Sequence, residues 1–94
     1  MMITRESAEV LALKILGWLA GNKELLPVFL GATGASETDL RAGASDPVFL
    51  GSVLDFILMD DAWVVQACDT IGAGYDTVFQ ARQALPGGEQ VNWT

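Results

Sequence analysis

The chain has 94 residues, is 51% hydrophobic and 18% charged, and carries a net charge of −7 from twelve acids against five bases. That length predicts a single domain spanning residues 1–94 and burying about 60–65% of its unfolded surface. The acidic balance excludes nucleic acid and anionic membrane as partners, because phosphate binding needs clustered Lys and Arg.

The first predicted helix covers roughly residues 6–20. On a 100° wheel Ala8, Leu11, Ala12, Ile15, Leu16, Trp18 and Leu19 share one face, and Glu6, Lys14 and Gly17 lie elsewhere. Glu6 and Glu9 stand where a signal peptide's basic region would meet its apolar region, so the sequence predicts a cytoplasmic protein. Gly21-Asn22 ends the helix, and Asn22 is placed to cap the next one. In "KELLPVFLGAT" Pro27 argues for a start near Glu24 or Leu25, which keeps it in the first turn, with Gly34 as the stop. "SETD" at 36–39 reads as a capping box opening a short helix to about Ala42, with Leu40 inward.

"SDP" at 45–47 is the clearest boundary, with Asp46 as cap and Pro47 at the first helical position. The helix from Pro47 to Met59 is apolar over more than half its circumference, which predicts a central helix packed on several sides. Gly51, Ser52 and Asp55, with Val48 and Met59 beside them, form its thin outer strip. Asp60 or Asp61 then caps "AWVVQACDTI", Gly72 ends that helix, and a last one runs from about Asp76 to Leu85. The core is expected over about 6–85, and "PGGEQVNWT" at 86–94 is a tail without periodicity. No stretch alternates with period two for long enough to be a strand. The expected fold is therefore all-α: five or six short helices packed around the helix at about 47–59.

An offset of 38 residues places Leu11, Ile15, Leu16, Trp18 and Leu19 on Phe49, Val53, Leu54, Phe56 and Ile57. The same offset places Asn22 on Asp60 and Gly34-Ala35 on Gly72-Ala73. This predicts an internal duplication of a three-helix unit with quasi-twofold symmetry.

The chemistry-bearing residues are few. The carboxylates of "DFILMDDAWVV", Asp55, Asp60 and Asp61, sit at a joint between two apolar helices. There a carboxylate accepts from free N–H groups and meets the positive end of the helix dipole. They lack the alternate acids, the glycine and the closing Glu of a calcium loop, so no metal site is expected. Histidine is absent, which removes the commonest general base and the usual zinc ligand. Cys68, the sole cysteine, lies among Val64, Val65, Ala67 and Ile71 as a small hydrophobe would, and can form no internal disulfide. The serines fit no nucleophile elbow and the glycines fit no phosphate loop. Catalytic residues, cofactor and metal are each expected to be none. The scattered Arg41, Arg82, Lys14 and Lys23 make no nucleic-acid patch.

Such a chain reads first as a non-enzymatic interaction module, whose apolar groove and acidic surface receive a basic or helical protein segment. Two other readings stay open. One is a small-ligand binder or minor enzyme, with a pocket lined by Trp63, Tyr75 and Phe79 and a polar contact from Asp60 or Asp61. The other is a homo-oligomeric structural protein, with the Val48–Met59 strip and Trp63 supplying a twofold contact. Trp18 is expected in the core and Trp63 half exposed. Trp93, in the tail, either folds back onto the domain or docks on a partner, and folding back is favoured.

The stretches "LGWLAGNKELLPVFLGATG" and "DPVFLGSVLDFILMDDAWVV", with Leu40-Arg41 and the "ALPGG…WT" ending, resemble the short alphaproteobacterial proteins called domain of unknown function 3572. The resemblance spans about residues 6–87. Asn22 stands where an acid, and Ala67 where an aromatic, would be expected of that family, and neither departure alters the helix pattern. What the resemblance implies is a compact all-helical cytoplasmic protein. It lends no site residues.

Overall fold

In the computed structural model, residues 4–86 are described, and they form six α-helices: α1 (Arg5–Ala20), α2 (Leu25–Thr33), α3 (Glu37–Gly43), α4 (Pro47–Ile57), α5 (Asp61–Ile71) and α6 (Thr77–Ala84). All but α6 begin or end on a short-range device that the residue types dictate. Thr4 caps α1 by accepting from Ser7 N–H at 3.0 Å. Asn22 Oδ1 accepts from the N–H groups of Glu24 and Leu25, both at 3.0 Å, which delays α2 and leaves Pro27 in its first turn, where no helical partner for an N–H exists. The capping box of α3 is complete: Asp39 N–H donates to Ser36 Oγ at 3.2 Å and Ser36 N–H to Asp39 Oδ2 at 2.9 Å. Asp46 Oδ1 accepts from Val48 N–H at 3.0 Å, and Pro47 opens α4. Gly34 and Gly72 close α2 and α5 in the left-handed region, at φ 75° and 77°.

Nineteen hydrophobic residues are buried among the described ones, drawn from all six helices and from Leu85, and no polar or charged residue joins them. The radius of gyration, 12.4 Å, is the ~12 Å that a compact chain of this length adopts. α4 buries Leu50, Gly51, Val53, Leu54, Phe56 and Ile57 and packs on α1, α3, α5 and α6. α1 shares the central place, packing on α2, α4, α5 and α6. A row of aromatic rings links three helices. Phe49 meets the fully buried Phe29 edge-on with centroids 6.0 Å apart, Phe29 meets Phe56 at 5.2 Å, and Phe56 stacks on Trp63 at 4.7 Å.

Two expectations for α4 are corrected. The helix stops at Ile57 rather than Met59, because Leu58 is its C-cap and the chain turns there towards the cap at Asp60. Gly51 is buried and does not lie on an open strip. The Arg82 guanidinium from α6 covers it, held there by an ion pair to Asp55 and a 3.0 Å bond to the Pro86 carbonyl. Ser52, Asp55, Val48 and Met59 are exposed as the strip predicts.

The 38-residue offset holds at the level of caps and buried positions. Ile15, Leu16 and Leu19 and their counterparts Val53, Leu54 and Ile57 are all buried, Leu11 and Phe49 are both half-buried, and Trp18 is half-buried where Phe56 is buried. Asn22 and Asp60 each accept from the N–H two residues on, at 3.0 and 2.8 Å. The stops match as well, with Gly34 N–H donating to Leu30 O and Gly72 N–H to Cys68 O, both at 2.8 Å. The packing departs from twofold symmetry. α6 lies against both α1 and α4, whereas α3, its counterpart, leans chiefly on α4. The first half is consequently more open around α3.

Candidate functional site

The carboxylates of residues 55–61 have separate roles. Asp55 pairs with Arg82 of α6. Asp60 is the N-cap of α5, with Oδ1 accepting from Ala62 N–H at 2.8 Å. Asp61 is the first helical residue and is exposed. Among the described residues no group of three or more Asp, Glu, Cys or His side chains converges as metal ligands would.

The aromatic candidates come from three places: the start of α5, the turn between α5 and α6, and α6. Trp63, half-buried, stacks on Phe56 at the start of α5. Tyr75 is exposed and donates to Asp69 Oδ1 at 2.7 Å, in the C-terminal part of the same helix. Six residues of helix, about 9 Å of rise, separate those attachment points. Phe79 is 57% exposed on α6. Trp93 lies outside the described residues. The bond to Asp69 favours the protonated phenol, and with the Asp69 charge it raises the Tyr75 pKa above its ordinary value.

Cys68 is buried on α5, with Sγ 3.6 Å from the Gly74 carbonyl. Desolvation pushes its pKa up, and the charges of Asp69 and Asp76 add to the shift. A thiol held neutral in this way is a poor nucleophile at neutral pH.

Two depressions on different faces of α4 are open to another molecule. The first is a groove of about 190 Å³ between α1 and the start of α4, lined by Val10, Leu13, Pro47 and Leu50 and rimmed by Glu6 and Glu9. Val10 and Leu13, adjacent on α1, are 51% and 47% exposed. The second is a cavity of about 400 Å³ bounded by α2, α3 and α4, with Phe49 in its wall and Asp39 and Asp46 at its edge. None of these residues is among the site residues expected from the sequence. The signal was present for the groove: Glu6, Glu9, Val10 and Leu13 recur at i, i+3, i+4 and i+7, a second stripe of α1 off its buried face. None of Trp63, Tyr75 and Phe79 lines either depression.

Six short helices around one apolar core, with no strand among the described residues, define an all-α single-domain protein. No helix of the described residues is long and apolar enough to cross a membrane. The chain belongs to the family "Protein of unknown function (DUF3572)", whose model matches residues 5–88. No curated protein and no solved structure matches it.

Proposed function

We propose that the protein is a non-catalytic interaction module of the cytoplasm, and that the α1–α4 groove receives a basic amphipathic helix from a protein partner. The supporting observation is the pairing of exposed Val10 and Leu13 with the acidic rim of Glu6 and Glu9, in a chain of net charge −7. An apolar stripe flanked by carboxylates suits a helix whose leucines enter the groove and whose lysines or arginines meet the rim. Glu9 already pairs with Arg5 at 3.3 Å, but both side chains are solvated and such a pair is worth at most about 1 kcal/mol, so a partner cation displaces it readily. A second copy of this chain suits the groove less well, since it brings the same negative charge.

The test uses a helical peptide of alternating Leu and Lys faces and its Glu-for-Lys counterpart. The basic peptide is expected to bind and to weaken with salt, and Val10→Glu with Leu13→Glu is expected to weaken it at least about tenfold. These two side chains are half exposed, so the double variant keeps the fold. Equal binding of both peptides, or unchanged binding by the double variant, would overturn the reading. A dimer seen by light scattering and dissolved by the same substitutions would assign the groove to a second copy instead.

A further inference from the structure

We propose that the cavity between α2, α3 and α4 binds a small organic cation, a protonated amine or guanidine on a short apolar stem. It opens on a different face of α4 from the groove and stands independently of what the groove binds. At about 400 Å³ it has the volume of a small-ligand site. Its apolar part is the half-buried Phe49 ring, which fits against α3 only because residue 43 is glycine and has no side chain to meet the ring.

The polar part is one-sided. The Thr33 hydroxyl donates to Phe29 O at 2.8 Å, and the Ser52 hydroxyl to Val48 O at 3.3 Å, so both hydrogens are committed to the protein's own backbone. Asp39 and Asp46 each use one oxygen in a cap, Asp39 Oδ2 for Ser36 N–H and Asp46 Oδ1 for Val48 N–H, and each keeps the other. No Lys or Arg lines the cavity. Its side chains therefore offer acceptors and an aromatic ring, and no free donor. A carboxylate or phosphate finds no free side-chain donor there and meets two like charges. An ammonium or guanidinium finds two carboxylates held in place by their caps and a ring suited to cation–π contact. A divalent metal ion fits less well, since two carboxylates fall short of the six or more oxygens that calcium gathers.

The discriminating experiment is an amide NMR titration of the whole protein at neutral pH and low salt. Phenethylamine and agmatine serve as probes, with 3-phenylpropionate as the anion of matched shape. Expected are saturable shifts at Gly34, Gly43, Phe49 and Ser52 with the two cations and not with the anion. Affinity is expected to fall at least about tenfold in Asp39→Asn with Asp46→Asn. That double variant keeps both caps, because an amide oxygen accepts the same backbone N–H groups. Val10→Glu with Leu13→Glu should leave these shifts unchanged, which separates this site from the groove. Equal response to cation and anion, shifts centred elsewhere, retained affinity in the Asn variant, or no shift up to about 10 mM probe would each overturn the proposal.

Discussion

Gly43 of α3 and Phe49 of α4 meet so closely that a Cβ on residue 43 would overlap the aromatic ring. This contact sets how near α3 approaches the rest of the molecule, since α3 leans chiefly on α4. The ring it positions also touches the buried Phe29 and forms the wall of the cavity.

Gly43→Ala is accordingly expected to act as overpacking and to cost about 1–3 kcal/mol in urea unfolding. A double-mutant cycle checks the cause. In a Phe49→Ala background the added methyl has room, so the same substitution should cost much less. An equal cost in both backgrounds would place the effect in the backbone of α3 instead.

The joint between α4 and α5 gives a sharper expectation. Asp60→Ala removes the acceptor of Ala62 N–H and should cost about 1 kcal/mol, while Asp60→Asn should be nearly silent. Asp61→Ala loses only its favourable position near the positive helix end, about 0.3–1 kcal/mol and less at high salt. If Asp61→Ala were the costlier change, the account of this joint as a cap at Asp60 would fail.

Arg82 and Asp55 form a pair of unequal members. The Arg82 side chain is 15% exposed and Asp55 is 57% exposed. Asp55→Ala should cost under about 1 kcal/mol, and that cost should vanish in 1 M salt. Arg82→Ala also removes the cover over Gly51 and the bond to Pro86 O, so it should cost more, about 1–2 kcal/mol, and the part beyond the ion pair should persist in 1 M salt. Thermal melts of both variants at low and high salt measure the difference.

Gly34 and Gly72 supply the cleanest measure of the repeat. Both are left-handed stops, and a Cβ on either would meet nothing. Alanine at each should therefore cost only the backbone term, roughly 1–2 kcal/mol, and similar amounts at the two positions. A large difference in denaturation midpoint between them would show that the halves are not equivalent at their stops.

What could be read from the sequence was what rests on short-range chemistry. Ser36 and Asp39, Asp46 with Pro47, Asn22 and Asp60 each cap a helix through partners two or three residues away, so their spacing alone discloses them. The stops at Gly34 and Gly72 follow from the same locality. Gly51 was misplaced on an open strip because its cover, Arg82, comes from another helix, and no periodicity within α4 encodes that. The site was less legible still. Trp63 looks like a binding aromatic until Phe56 stacks beneath it, and Val10 and Leu13, off the main apolar face of α1, become a groove wall only once Pro47 and Leu50 of α4 are set beside them. Burial is a property of the assembled molecule, and a wheel drawn on one helix cannot tell a packed stripe from an open one.

Cys68 yields the pH dependence. Its thiol is buried, and desolvation with the Asp69 and Asp76 charges raises its pKa in the folded protein. The folded state therefore holds the proton to higher pH than the unfolded chain, where a thiol titrates near about 8.5. Below that pH the neutral thiol's contribution to stability is fully present. As pH rises above it the unfolded state releases the proton first, and the contribution is lost progressively as pH climbs through the folded pKa. Wild-type stability should thus fall from about pH 8.5 upward, and Cys68→Ala should flatten that fall while leaving Tyr75's contribution at still higher pH. Iodoacetamide at pH 8 should alkylate the native protein far more slowly than the urea-unfolded chain. Equal rates would mean that Cys68 is accessible and ionised, and the view of it as a buried packing residue would have to be abandoned.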